Sequence, residues 1–400
     1  MDFTLRETRF LALLLIAGLV AILTRHFRVP YTVGLVAAGI LASFLPFFSD
    51  LPSSKEVMFN LLLPPLIFEA AIHIRWKELR KEMPVIALLA TLGVCLSAAV
   101  TAFGMRCLVG WGWISSLLFG ILIAATDPVS VIATFKESGV RGRLSLLVEA
   151  ESLFNDGTAA VIFAVVLAIV GGSAPTVGSV AATLVLTIGG GVVCGALVGG
   201  VILLLTRRSQ DHLIEFTFTT IAAFGSFLLA EHFHFSGILA VLTAGLLVGN
   251  LGSGGLVSAR GKEAVEGYWE YICFLVNSII FIGIGVHQAQ QDFKRILLPA
   301  VIAILLVLLG RAASVYPCCA MFFGSRLRVK RTHQFVLFWG GLRGALALAL
   351  AAGLPTGLPG RETIMSVTFA VVAFSIFVQG LSMTALLRRV GELAFGSRNR

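Results

Sequence analysis

The residues of this chain whose types and spacing could do chemistry gather in one stretch, VEAESLFNDGTAAVIFA (148–164). There Glu149, Glu151, Ser152, Asn155 and Asp156 stand at the head of a long apolar run. A charge near the centre of a bilayer costs about 2.5–3.5 kcal/mol even on lenient insertion scales, so it persists only where a partner or a polar pathway stabilises it. A carboxylate in such a place can hold a proton or a hard cation. Burial disfavours its charged form and a bound cation favours that form, so the two ions compete for the same oxygens. At helical spacing Ser152 and Asp156 share one face, and Glu151 and Asn155 the neighbouring one.

A second acid sits in ILIAATDPVSVIATF (121–135), which carries Thr126, Asp127 and Pro128 in its middle. Proline removes an intrahelical hydrogen bond and clashes with the carbonyl four residues back, so the helix is expected to be interrupted beside the charge. Interrupted helices at membrane depth expose carbonyls and helix-end dipoles, from which transporters build cation sites. Two buried cations need partners. Arg311 lies within ILLPAVIAILLVLLGRAASVYP (296–317), and Glu151 is its leading candidate partner. Arg343 lies in WGGLRGALALALAAG (339–353), where Gly340, Gly341 and Gly344 suggest a second interruption whose half-helix dipoles the arginine offsets. Other polar residues carry less: Glu69 and His73 are one turn apart, Glu215 reads as a surface group snorkelling from a helix end, and Gln379 stands alone in the last helix. The six cysteines show no metal-ligand spacing.

The elements that must position these residues are membrane helices. A chain of 400 residues that is 58% hydrophobic and only 13% charged, with a mean hydropathy of +0.96, lies outside the range of soluble domains. The expected fold is an all-α polytopic membrane protein with about 13 transmembrane helices, each needing ~20 apolar residues. The runs begin near residues 9, 31, 57, 84, 113, 144, 176, 212, 236, 268, 296, 333 and 362. The interrupted helices are the fifth and the twelfth, seven spans apart. An odd offset makes them run in opposite directions, the signature of inverted repeats.

The net charge of +9 would suggest nucleic acid in a soluble protein. Here Lys and Arg collect in alternate connections (Arg25 and Arg28, Arg75 to Lys81, Lys136 to Arg143, Arg207 and Arg208, Arg260 and Lys262, Arg326 to Arg331, and the tail from Arg388), so they mark the cytoplasmic side. The expectation is an inner (plasma) membrane protein with its N-terminus outside, its C-terminus cytoplasmic and no nucleic-acid partner. The first run has no small-residue cleavage site and reads as a retained helix.

With those residues in view, ATDPVSV (125–131), ESLFNDGTA (151–159), GGLRGALALAL (340–350) and LPPLIFEAAI (63–72) resemble the NhaP-type sodium/proton antiporters, in the same order over nearly the whole chain. The resemblance implies a homodimer. Residues 1–83 (helices 1–3) and 207–288 (helices 8–10) would form a dimer scaffold, residues 84–172 (helices 4–6) and 289–400 (helices 11–13) a moving transport core, and 173–206 a linker helix. It implies that Asp156 carries sodium, lithium or a proton, that Asp127, Ser152 and Thr126 complete the cation site, and that Asn155 stands where electrogenic relatives have a second aspartate. Glu151 and Arg311 would be a structural ion pair, and Arg343 would stabilise the crossed helices. No cofactor is implied.

An electroneutral sodium/proton antiporter is therefore the expected function, with potassium/proton exchange as the alternative. An intramembrane aspartyl protease would use two membrane aspartates, but the GxGD element of such enzymes is absent. A channel is less suited to paired interrupted helices than alternating access is.

Overall fold

The computed structural model describes residues 2–27, 29–45, 57–172, 177–206, 211–251, 259–289 and 293–391. Of the basic residues used above, Arg28, Arg207, Arg208 and the tail beyond Gly391 lie outside the described residues. All regular structure among the described residues is helical. The helices are α1 (Asp2–Phe27), α2 (Tyr31–Ala42), α3 (Leu63–His73), α4 (Trp76–Leu88), α5 (Val94–Gly104), α6 (Trp113–Leu122), α7 (Val129–Ser138), α8 (Arg143–Val170), α9 (Val177–Thr206), α10 (His212–His232), α11 (Gly237–Leu251), α12 (Ala259–Ala289), α13 (Phe293–Ala320), α14 (Arg331–Trp339), α15 (Ala345–Ala352), α16 (Arg361–Phe374) and α17 (Leu381–Val390). Short π-helical turns join α4 to α5 and α16 to α17 without a break. Among the described residues, eight helical stretches are long and apolar enough to cross a membrane, and four shorter apolar ones accompany them. The chain is a multi-pass membrane protein.

It divides into two compact units. The first comprises Met1–Lys55, Val85–Ser152 and Asn277–Arg400; the second comprises Glu56–Pro84 and Leu153–Val276. Within the first unit α5 packs on α6 and α13, and α16 packs on α13 and α15. Within the second, α11 is the hub and touches α9, α10 and α3. Its packing follows from small residues four apart. Gly191, Gly195 and Gly199 of α9 face Ser236, Ala240 and Ala244, so closely that a Cβ at Gly195 would fall on the Ala240 carbonyl. On its other side, Gly245 and Gly249 of α11 meet Phe68, Ala71 and Ile72 of α3. Between lipid-facing helices, where burial from water supplies no drive, close van der Waals approach of this kind is what holds them.

Three expectations need correction. The WKELRKE segment (76–82), which hydropathy assigns to a loop, is the first half of α4. Likewise α12 starts at Ala259, nine residues before its apolar run. Helical hydrogen bonding does not depend on apolarity, so both helices extend past the hydrophobic zone. That extension also buries Glu215, which is only 1% exposed against Gly261 in the first turn of α12 and is not a snorkelling surface group.

Candidate functional site

The chain leaves helical geometry between Leu122 and Val129 and again between Trp339 and Ala345. Pro128 and a run of glycines account for the two departures locally. In the first unit they lie against each other, because the Asp127 N–H donates to the Leu342 carbonyl at 2.8 Å. The ends of four helices, α6, α7, α14 and α15, therefore meet there, with backbone groups that no helix of their own can satisfy.

Each end is met by side chains of the right sign. Asp127 accepts from the Val129 N–H at 2.9 Å and from the Ala345 N–H at 3.4 Å, so one carboxylate sits at the N-termini of both α7 and α15. Arg343, only 1% exposed, donates through Nη1 to the Ala124 and Ala125 carbonyls at 2.9 and 3.0 Å, just past the end of α6. Arg311 donates through Nε and Nη2 to the Leu337 carbonyl near the end of α14, and Gln379 donates to Trp339 O at 3.0 Å. Negative charge at helix N-termini and positive charge at C-termini is the favourable arrangement of the macrodipole. The pattern is also an exchange, since the acid of the first interruption serves the second and the arginine of the second serves the first.

Two glycines have a role that the sequence does not announce. A Cβ at Gly344 would fall on the Asp127 carboxylate, and one at Gly341 would press on the Arg311 guanidinium. These glycines make room for the charged groups as well as loosening the helix.

Helix α8 brings up the remaining residues. Glu151, 1% exposed, receives Arg311 in a bidentate pair, Nη1 to Oε1 at 2.7 Å and Nη2 to Oε2 at 2.9 Å. Ser152 donates to the Thr126 carbonyl and its Oγ accepts from the Thr126 hydroxyl at 3.3 Å. The first unit thus gathers Thr126, Asp127, Glu151, Ser152, Arg311 and Arg343. Asn155 and Asp156 belong to the part of α8 in the second unit, one turn beyond Glu151 and Ser152, and both are buried. Another arginine, Arg143 at the start of α8, was no sequence candidate; its guanidinium holds the Leu327 and Arg328 carbonyls at 2.7 Å each. A basic residue at a helix start gives no sign of that partner.

The chain as a whole is similar to known proteins. The profile described as "Sodium/hydrogen exchanger, transmembrane" covers residues 11–389. The chain belongs to that family. Among its members, the chain is 38% identical to the Na(+)/H(+) antiporter ApNhaP of Aphanothece halophytica over 383 residues, covering 93% of this chain and 72% of that one. It is 34% identical to the Na(+)/H(+) antiporter NhaP of Pseudomonas aeruginosa, covering 94% and 96% of the two chains. The chain shares its fold with the sodium proton antiporter MjNhaP1 of Methanocaldococcus jannaschii at pH 8, with a TM-score of 0.75, 20% identity and 98% of each chain covered.

Proposed function

We propose that this chain exchanges one sodium or lithium ion for one proton by alternating access, with both ions competing for the Asp156 carboxylate. The observation that carries the reading is the pair of buried positions on α8: Asp156 is an acid one turn after Ser152, and its neighbour Asn155 is an amide that cannot titrate. A single carrier acid that crosses with either ion, and not empty, moves one charge each way. Membership in the exchanger family and the similarity to proteins named as Na(+)/H(+) antiporters support sodium as the cation. Hard oxygen donors suit it.

In this proposal the Ser152 and Thr126 oxygens complete the cation's shell. Asp127 holds the half-helix ends and keeps lone pairs for the ion, since a carboxylate has about four acceptor directions. Glu151 with Arg311, and Arg343, hold the structure. We count thirteen crossings by taking residues 113–138 and 331–352 as one interrupted crossing each. We place the N-terminus outside a plasma membrane, and we assign the transport core to 84–172 and 289–400 and the scaffold of a homodimer to 1–83 and 207–288.

The test is proton flux from acid-loaded proteoliposomes on addition of sodium, lithium or potassium at several clamped potentials. Sodium- and lithium-driven flux that ignores the potential and vanishes in Asp156→Asn, with that variant melting within about 2 °C of the parent, is the expected result. Normal flux in Asp156→Asn would remove the carrier, and flux driven by potassium in preference to sodium would replace the cation.

A further inference from the structure

The first unit has a groove in which Ala99, Ala102 and Phe103 of α5 face Trp113, Ile114 and Leu117 of α6. Its volume is about 390 Å³. At ~30 Å³ for a group the size of water, that is room for about a dozen such groups in a row, a length of fatty acyl chain. The walls are wholly apolar side chains, and the two largest stand open: Phe103 is 61% exposed and Trp113 58%. In a chain that spans a membrane, such a surface faces hydrocarbon.

One end of the groove carries a charge. A π-helical turn, Met105–Val109, continues α5 to Gly110, whose left-handed conformation (φ +80°) ends it and turns the chain back toward α6. The turn brings the Trp111 carbonyl to Arg106, whose Nη1 donates to it at 3.1 Å. The same guanidinium lies 5.8 Å from the centre of the Trp113 ring, which is also a groove wall. Arg106 is thereby held at the groove mouth by a carbonyl and an aromatic face. Only one of its five N–H donors is used by that carbonyl, and among the described residues it has no ion pair. Ala99 lies seven residues before it, about 10 Å deeper along the helix. A tryptophan and an arginine at the end of a spanning helix mark the headgroup level, so the groove runs from there toward the bilayer interior.

We propose that this groove is the seat of one anionic phospholipid, with an acyl chain lying between α5 and α6 and its phosphate on Arg106. The occupant is a lipid and not a soluble anion because the arginine and the apolar channel are continuous through Trp113. Its headgroup is selected because acyl chains gain nothing by leaving neighbouring lipid for an apolar wall, so the discrimination falls to the charge at the mouth. One basic residue near the surface corresponds to about a fivefold preference for anionic over zwitterionic lipid.

The experiment uses the full chain in nanodiscs and reads tryptophan fluorescence quenched by phospholipids brominated on the acyl chain, phosphatidylglycerol against phosphatidylcholine at equal mole fraction. The Trp113 contribution is taken as the difference from Trp113→Phe. The expected result is Trp113 quenching at about fivefold lower mole fraction of brominated phosphatidylglycerol, a preference lost in Arg106→Gln and kept in Arg106→Lys. Arg106 is exposed and takes no part in the buried ion pair, so sodium-driven flux under the conditions above serves to check that both variants are folded. Equal quenching by the two headgroups in the parent, an unchanged preference in Arg106→Gln, or a preference abolished by inorganic phosphate would each overturn the proposal. So would the absence of quenching by either lipid.

Discussion

Replacing Glu151 by glutamine tests the ion pair while changing few atoms. In the parent both guanidinium nitrogens of Arg311 that face Glu151 are matched by carboxylate oxygens at 2.7 and 2.9 Å, with the pair almost entirely shielded, at 5% and 1% exposure. Glutamine keeps one acceptor and turns an amide N–H₂ toward a guanidinium donor, and it leaves the arginine charge uncompensated. Removing one member of a buried pair costs about 3–5 kcal/mol. With an unfolding entropy of about 2.1 cal/mol/K per residue, a chain of this length loses about 4–6 °C in melting temperature. The assay is thermal melting in detergent or nanodiscs, followed in parallel by sodium-driven proton flux at a temperature where all variants are folded. Flux should keep its half-saturating sodium concentration within about twofold, because neither partner is proposed as a ligand. The control is Glu151→Leu with Arg311→Met, which removes both charges together. Apolar replacement of a whole buried pair is often neutral or better, set against the Leu337 carbonyl left without its Arg311 donor, about 1–3 kcal/mol. A Glu151→Gln variant that melts within 1 °C of the parent, or a double variant less stable than Glu151→Gln, would refute the reasoning.

Asn155→Asp places a second acid beside Asp156, and sodium-driven flux should then respond to the membrane potential; the clamped-potential assay reads it. Asp127→Asn can satisfy only one of the two helix N-termini through its oxygen, so we expect about 1–3 kcal/mol of lost stability together with reduced flux, measured by melting and transport. Gly344→Ala drives a methyl group into the Asp127 carboxylate and should cost about 1–3 kcal/mol, whereas Gly324→Ala, which meets nothing within 4 Å, should leave melting unchanged.

What could be read from the chain alone follows the cost of polarity in lipid. Apolar runs find the helices because the bilayer sets their length. The cost of an isolated arginine at 311 narrows its partners to a few acids in apolar surroundings, among them Glu151. Pro128 and the glycines at 340, 341 and 344 mark places where a helix is hard to continue. The rest is tertiary. No local pattern tells that Asp127 also accepts from Ala345, that Gly341 and Gly344 give space to charged side chains, or that Arg143 reaches the carbonyls of Leu327 and Arg328. Glu215 and the polar beginnings of α4 and α12 mislead for the opposite reason, because hydropathy measures what lipid tolerates and not where a helix stops.

The exchange of caps between the two interruptions has a consequence for how the protein is made. Asp127 and Ala345 are 218 residues apart. At about 5–20 residues per second, some 10–45 s of synthesis separate them. Throughout that interval the first interruption is already in or near the bilayer, while the carbonyls at Ala124 and Ala125 lack the arginine that will hold them and Asp127 lacks one of its two helix ends. The early half cannot reach its final form before the late half arrives. Its open backbone groups must be screened by water, by lipid headgroups or by the insertion machinery, so a nascent chain stalled between these two points should be a preferred target for membrane quality-control proteases.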